Sequence, residues 1–167
     1  FGREKERFKQ YLLRKKTEYF SFEGEPYEIT ISDVQLYPQG YAAILDNMEL
    51  LKGEPSVVLA DIGGWTMELM RLDNYIPHAA TCRSLELGMI RCMDEILEQV
   101  RRSMGLSLTV AQVEAVLQDE PCSLPDKAKN IVLEYGEHYT AQLLSAIMEC
   151  GFDITAMPVI FHHESII

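Results

Sequence analysis

Positive charge is scarce in this chain. Lysine and arginine number 15 against 26 aspartates and glutamates, a formal net charge of −11 over 167 residues. A surface this acidic opposes direct, non-specific nucleic-acid binding, which needs cations to neutralise phosphates. It suits a cationic or protein partner better. Long apolar runs are missing too. None reaches the roughly 20 residues that span a bilayer, and no secretory signal precedes the cysteines, so the expectation is a soluble, cytoplasmic protein with no membrane partner. Cys82, Cys92, Cys122 and Cys150 include no C-x-x-C pair. They read as reduced, mostly buried thiols; a reactive thiol or a regulatory disulfide has no support in the spacing. Internal repeats and low-complexity segments are absent as well.

What is present fits one domain of ordinary size, or one domain with a fragment of another. Hydrophobic residues make up 47% of the chain, which argues against disorder. The few cations are unevenly spread: Arg3, Lys5, Arg7, Lys9, Arg14, Lys15 and Lys16 all fall in the first sixteen residues. A DNA-binding arm is one reading. Glu4 and Glu6 interleave with these cations and Phe8, Leu12 and Leu13 mark an apolar stripe, so a solvated helix face over residues 3–16 is the better one.

Alternation predicts a hairpin over residues 18–31, turning at Glu23-Gly24-Glu25-Pro26, and then a short strand at Val34-Gln35-Leu36-Tyr37. Residues 41–51 read as a helix ended by Lys52-Gly53 and Pro55. A three-strand meander follows: residues 57–61, 65–72 and 75–83. Helices are expected over residues 86–104, with Leu87, Ile90, Met93, Leu97 and Val100 on one face and Gly105 at the end, then from Thr109 as N-cap, and over residues 126–150. A last strand covers residues 155–161. This order gives an α/β layer arrangement, a mixed sheet with helices packed over it. The methionines fall on predicted strands and helices, where flexible core filling is their ordinary use and a partner groove a weaker alternative.

The most informative segment is Val57-Val58-Leu59-Ala60-Asp61-Ile62-Gly63-Gly64-Trp65-Thr66-Met67. A buried strand ends on an aspartate, two glycines and a threonine follow, and an alternating strand begins. Glycines let backbone N–H groups approach an anion and permit φ > 0. Asp61 can hold a metal-bound water and Thr66 a phosphate oxygen. A plain tight turn with Gly-Gly is the competing reading.

The unit Asp61-Ile62-Gly63-Gly64-Trp65-Thr66, with Ser84-Leu85-Glu86-Leu87-Gly88 opening a helix, resembles the second half of the actin-like ATPase (ribonuclease H-like) fold. Its D-x-G-x-x-T text looks like that superfamily's second phosphate motif. Phe8-Lys9-Gln10-Tyr11-Leu12-Leu13, Tyr27-Glu28-Ile29-Thr30-Ile31 and Tyr37-Pro38-Gln39-Gly40-Tyr41-Ala42-Ala43 are similar to text in the ParM/StbA plasmid-segregation actins. The resemblance implies ATP and Mg²⁺ as ligands. Gly63, Gly64 and Thr66 would hold the γ-phosphate, and Asp61 would contact Mg²⁺ through water. Gln39 matches a connecting-helix motif that carries a residue near the attacking water; a polar residue opening a helix after Pro38 is the alternative.

The resemblance also implies boundaries. Residues 1–53 match the end of a first actin-like domain and residues 54–167 a second one lacking its C-terminal portion, so that the fold as a whole is truncated at both ends relative to the family. No first phosphate turn precedes Phe1. Where a Gly-rich adenosine motif is expected, the chain reads Phe161-His162-His163-Glu164-Ser165. Hydrolysis by this chain alone is therefore not expected. Adjacent strand residues point to opposite faces, so His162 and His163 are not expected to chelate one metal ion and read as surface or tail histidines. The implied function is part of a ParM-like ATPase that polymerises to move plasmid DNA, reached through an adaptor protein. The alternatives are a nucleotide-inert interaction module or another phosphotransferase of the superfamily, such as a sugar kinase. An apolar surface left by a missing half predicts a dimer or filament, with residues 1–51 as the contact region.

Overall fold

The structure, a computed structural model, describes residues 4–38, 40–46, 48, 49 and 51–163, with Ala42 and Ala43 described by backbone alone. It contains helices α1 (Lys5–Leu13), α2 (Tyr41–Asp46), α3 (Met89–Met104), α4 (Val110–Leu117) and α5 (Asp126–Glu149). The strands are β1 (Thr17–Phe22), β2 (Glu25–Thr30), β3 (Ser56–Ile62), β4 (Met67–Asp73), β5 (Ile76–Pro77), β6 (Arg83–Leu85) and β7 (Val159–His163). The main sheet runs β5-β4-β3-β7, with β6 also on β4; β7 is parallel to β3 and the other pairs are antiparallel. This is the expected mixed sheet flanked by helices.

Strand β3 is central, and its side chains alternate between two cores. Val58, Ala60 and Ile62, with Met67 and Leu69 of β4, face Leu143 and Ile147 of α5 and Phe152. Val57 and Leu59, with Met70 and Leu72, face Ile44 of α2 and Leu51. A strand buried on both sides reads as a continuous apolar run, which is why residues 57–60 were legible as such. A third cluster joins α3, α4 and α5 through Met93, Ile96, Val100, Val113 and Val132. Each such buried side chain contributes about 1.5–3 kcal/mol.

Caps follow the sequence closely. Gly105 ends α3 at φ +68, and Thr109 opens α4 with a reciprocal capping box to Gln112. Elsewhere the structure corrects the expectation. Residues 34–37 form no strand, because no neighbouring strand pairs with them among the described residues; instead Tyr37 stacks on Tyr41. The β1–β2 turn is two residues, Glu23-Gly24, both at positive φ, and Pro26 lies inside the strand opposite Ser21. The β4–β5 turn is Asn74-Tyr75, also at positive φ. The third strand of the meander is split. Between β5 and β6 the chain makes a 3₁₀ turn at Ala79–Thr81, and the Thr81 hydroxyl accepts from the Arg71 N–H in place of a ladder carbonyl.

Helix α2 is shorter than residues 41–51, and α3 starts at Met89 rather than residue 86. The buried face of α3 is Cys92, Met93, Ile96 and Val100, rotated from the predicted stripe because α4 as well as α5 packs on it. Of the cysteines only Cys92 is buried, and all four are free thiols.

The hairpin β1–β2 stands apart from these cores. Phe20, Phe22, Tyr27 and Ile29 share one face and are all exposed, with Phe20 stacked on Tyr27. The basic residues of α1 are partly neutralised, with Lys9 on Asp33, Arg7 on Glu4 and Arg14 over the Tyr11 ring. No helix of the described residues is long and apolar enough to cross a membrane.

Candidate functional site

The site is built where the β3–β4 turn meets the start of α3. The Ile62–Met67 pair closes the ladder and leaves Gly63-Gly64-Trp65-Thr66 as the loop. Its carbonyls are all engaged. The Gly63 N–H donates to the Thr66 carbonyl at 2.8 Å. The N–H groups of Gly88, Met89 and Ile90 donate to the carbonyls of Trp65, Gly63 and Gly64 at 3.1, 3.0 and 2.9 Å. The helix therefore spends its free N-terminal donors on the loop.

This anchoring decides which way the loop's own amides point. In a trans peptide the C=O of one residue and the N–H of the next lie on opposite sides of the bond. With the carbonyls of Gly63, Gly64 and Trp65 turned toward α3, the N–H groups of Gly64, Trp65 and Thr66 are turned away from it. Those three N–H groups have no hydrogen-bond partner among the described residues. Successive unpaired amides facing one direction form an anion-binding concavity.

The glycines serve this geometry differently from the expectation. Neither Gly63 nor Gly64 adopts a left-handed φ. Gly64 provides space instead, since a Cβ there would sit 3.0 Å from Ile90 Cδ1, whereas a Cβ on Gly63 would meet only ordinary contact at 3.4 Å. The tightest position is Gly88, whose Cβ would lie 2.3 Å from both the Gly64 carbonyl oxygen and the Trp65 carbonyl carbon. Only glycine lets the helix start this close to the loop. Its role is invisible along the chain, since the crowding comes from residues more than twenty positions away.

Asp61 stands beside the loop on the α2 face of the sheet. It is 2% exposed and is the one buried charged residue among those described. Its Oδ1 lies 2.8 Å from Nδ1 of His162, its parallel-register partner on β7. Its Oδ2 is buried with no hydrogen-bond partner among the described residues. Gly40, at φ +72, presses against that oxygen: a Cβ there would be 2.9 Å from Oδ2. Pro38, Leu59, Asp61, Glu68, Met70 and Cys82 line a cleft of about 290 Å³. Glu68, directly across the ladder from Asp61, is held by the Ser84 hydroxyl.

A second cleft, of about 520 Å³, touches the loop through Trp65 and Thr66, but Glu86, Asp94 and Glu95 line it and its Arg91 is paired with Glu95. That lining disfavours an anion, whereas the loop's unpaired N–H groups face away from α3.

The sequence-derived candidates are thus partly assembled. Gly63, Gly64 and Thr66 belong to one loop, and Asp61 stands beside it in β3. Gly40 and Pro38 of the connecting segment reach Asp61; Gln39 itself lies outside the described residues. Among the described residues no three His, Cys, Asp or Glu side chains converge to hold a metal directly. A cation here would be contacted through water, and the unpartnered Oδ2 is the acceptor that fits it. His162 was missed. The signal available was alternation: continuing β7 past Ile160 puts His162 on the same face as Ile160, toward Asp61, and His163 on the other.

No protein-family model matches the sequence, and no curated protein matches it by sequence comparison. Solved structures do match it in fold. An archaeal actin homolog in complex with ADP is 17% identical with a TM-score of 0.59, over 84% of this chain and 48% of its own. The psk41 ParM protein in its apo form is 17% identical with a TM-score of 0.68, over 95% and 47%. An Alp12 filament structure is 14% identical with a TM-score of 0.63, over 98% and 52%. The chain spans about half the length of these proteins. The sheet order, the loop-to-helix junction and these likenesses together give this chain the actin-like fold, over about half of its usual extent.

Proposed function

We propose that this chain supplies one wall of a Mg-ATP site in a ParM-like actin ATPase. The observation that carries this reading is the pairing of three outward-facing N–H groups at Gly64, Trp65 and Thr66 with the orphaned carboxylate oxygen of Asp61. The amides and the Thr66 hydroxyl suit phosphate oxygens, and Asp61 Oδ2 suits a water bound to Mg²⁺. When bound, Mg²⁺ would supply positive charge against the phosphates. Nucleotide hydrolysis is mostly positioning and charge stabilisation, so a wall of this kind has a defined part in it. Gln39 is the proposed water-orienting residue, supported by its neighbours Pro38 and Gly40, which border Asp61. Residues 1–53 and 54–167 are read as parts of two domains, and the opposite wall of the site is not among the motifs of this chain.

Self-association into filaments belongs to the same proposal. The exposed Phe20, Phe22, Tyr27 and Ile29 face is the surface that supports it. An adaptor protein between filament and plasmid DNA, and a cytoplasmic location, accord with the acidic surface.

Trp65 is 75% exposed and sits in the loop, so its fluorescence tests the site. Titration with Mg-ATP is expected to change its emission, and Asp61→Ala or Gly64→Val to remove the change. A flat titration in the unsubstituted chain, with the fold intact by circular dichroism, would refute nucleotide binding and leave an interaction module as the function.

A further inference from the structure

The contact between β7 and the glycine-rich turn has a consequence for how Asp61 is used. A carboxylate has two equivalent oxygens and is free to rotate about χ2 unless something distinguishes them. Here they are distinguished completely. Oδ1 is bonded to His162 at 2.8 Å, and Oδ2 is buried with no partner among the described residues. An ionised carboxylate only accepts hydrogen bonds, so the positioning role requires the tautomer of His162 with its proton on the bonded Nδ1. Gly40 packs beside Oδ2, where a Cβ would lie 2.9 Å away, and Asp61 lines the cleft of about 290 Å³.

We infer that His162 is a positioning residue: it fixes the Asp61 carboxylate through Oδ1, so that Oδ2 is the one oxygen offered to the water shell of a divalent cation. This rests on the reading of Asp61 as the cation-water acceptor given above. The placement follows from the fold. His162 is the parallel-register partner of Asp61 on a neighbouring strand, so backbone ladder bonds on both sides hold the two side chains at fixed separation. The imidazole is one-third exposed while Asp61 is 3% exposed at its side chain, so the histidine also covers the carboxylate against rotation into solvent. Residues that orient a metal-site carboxylate from behind commonly control affinity by 10- to 100-fold.

The test uses the full 167-residue chain with Mn²⁺ as the probe, with and without ATP, followed by electron paramagnetic resonance. Asp61→Ala is expected to abolish the site. His162→Ala is expected to weaken Mn²⁺ affinity by about 10- to 100-fold while leaving metal-free ATP affinity unchanged. His162→Asn, whose amide can donate from nearly the same position as Nδ1, is expected to restore most of it. If Asp61→Ala loses Mn²⁺ and His162→Ala does not, the positioning role is refuted and the reading of Asp61 survives. If neither variant matters, or the unsubstituted chain binds no Mn²⁺, both are refuted. A second measurement needs no ligand: long-range ¹H–¹⁵N spectra should show His162 protonated at Nδ1 and should lose that signature in Asp61→Ala. An Nε2-protonated neutral ring in the unsubstituted chain would also overturn the inference.

Discussion

Gly88→Ala is the substitution that interrogates the site's architecture most directly. The new methyl carbon would lie 2.3 Å from the Gly64 oxygen and the Trp65 carbon, and 2.5 Å from the Gly64 carbon, where ordinary contact begins at 3.4 Å. All of the obstructing atoms are backbone, so no rotamer change relieves the overlap. The start of α3 must move roughly 1 Å from the loop, a displacement large enough to break well-formed hydrogen bonds. Three bonds then weaken together: Gly88 to Trp65, Met89 to Gly63 and Ile90 to Gly64. At about 0.5–1.5 kcal/mol net for each bond, their loss is worth roughly 2–4 kcal/mol. The gain in helix propensity is irrelevant, since Gly88 is the N-cap and not an interior residue. Urea denaturation gives the measurement, with Gly24→Ala as the companion, because a Cβ there meets nothing within 4 Å and its cost is only that of a left-handed alanine, about 1 kcal/mol. A Gly88→Ala variant within 0.5 kcal/mol of the unsubstituted protein, on the usual scale of neutral surface changes, would refute the loop-to-helix junction.

Further outcomes follow from other contacts. Thr109→Ala removes the side-chain half of the capping box of α4, the Gln112 N–H to Thr109 Oγ1 bond, and should cost about 1 kcal/mol in the same urea experiment; Thr109→Ser should cost much less. Gly40→Ala combines a left-handed backbone with a 2.9 Å approach to Asp61 Oδ2, so a cycle with Asp61→Ala should show coupling of roughly 0.5–3 kcal/mol, and additivity would place Gly40 away from the carboxylate. Burial pushes the Cys92 thiol up to about 11 and the Tyr139 hydroxyl up to about 12. Both folded values exceed the unfolded ones, so the fold binds these protons more tightly. The stability they contribute is present below about pH 9 and declines as pH rises toward 12. The urea midpoint should fall over that window, and fall less in the Cys92→Ala, Tyr139→Phe double variant.

What could be read along the chain depended on how far the cause of each feature lies from the residue itself. Residues 57–60 announce a strand buried on both faces, Gly105 and Thr109 announce helix ends, and 126–149 announces a long helix, because each signal lies within one or two turns of chain. Residues 34–37 carry strand-like alternation, but alternation supplies no ladder partner. Residues 75–83 read as one strand because Thr81 gives no hint that its hydroxyl takes the place of a carbonyl for Arg71. The stripe on α3 was misjudged for a related reason: two helices pack on it, so its buried arc includes Cys92 and Ile96.

The candidate site follows the same rule and shows why a motif is less than a site. Asp61, Gly63, Gly64 and Thr66 stand within six residues and were legible together. The features that turn them into the proposed binding surface come from elsewhere. Gly88 makes room for a helix whose donors occupy the loop carbonyls, and that occupancy turns the loop amides outward. Gly40 and His162 press the Asp61 carboxylate from two sides, and one oxygen has no partner among the described residues. A plain Gly-Gly hairpin would need none of this: its carbonyls could face water, and an aspartate beside it could be exposed. Burying a carboxylate oxygen unpaired is costly, and the cost falls if a donor arrives with a ligand. The fold thus leaves three loop amides and one carboxylate oxygen without a protein partner among the described residues, and that arrangement, more than the letters of the motif, is the physical argument for the proposed phosphate and cation site at Asp61–Thr66.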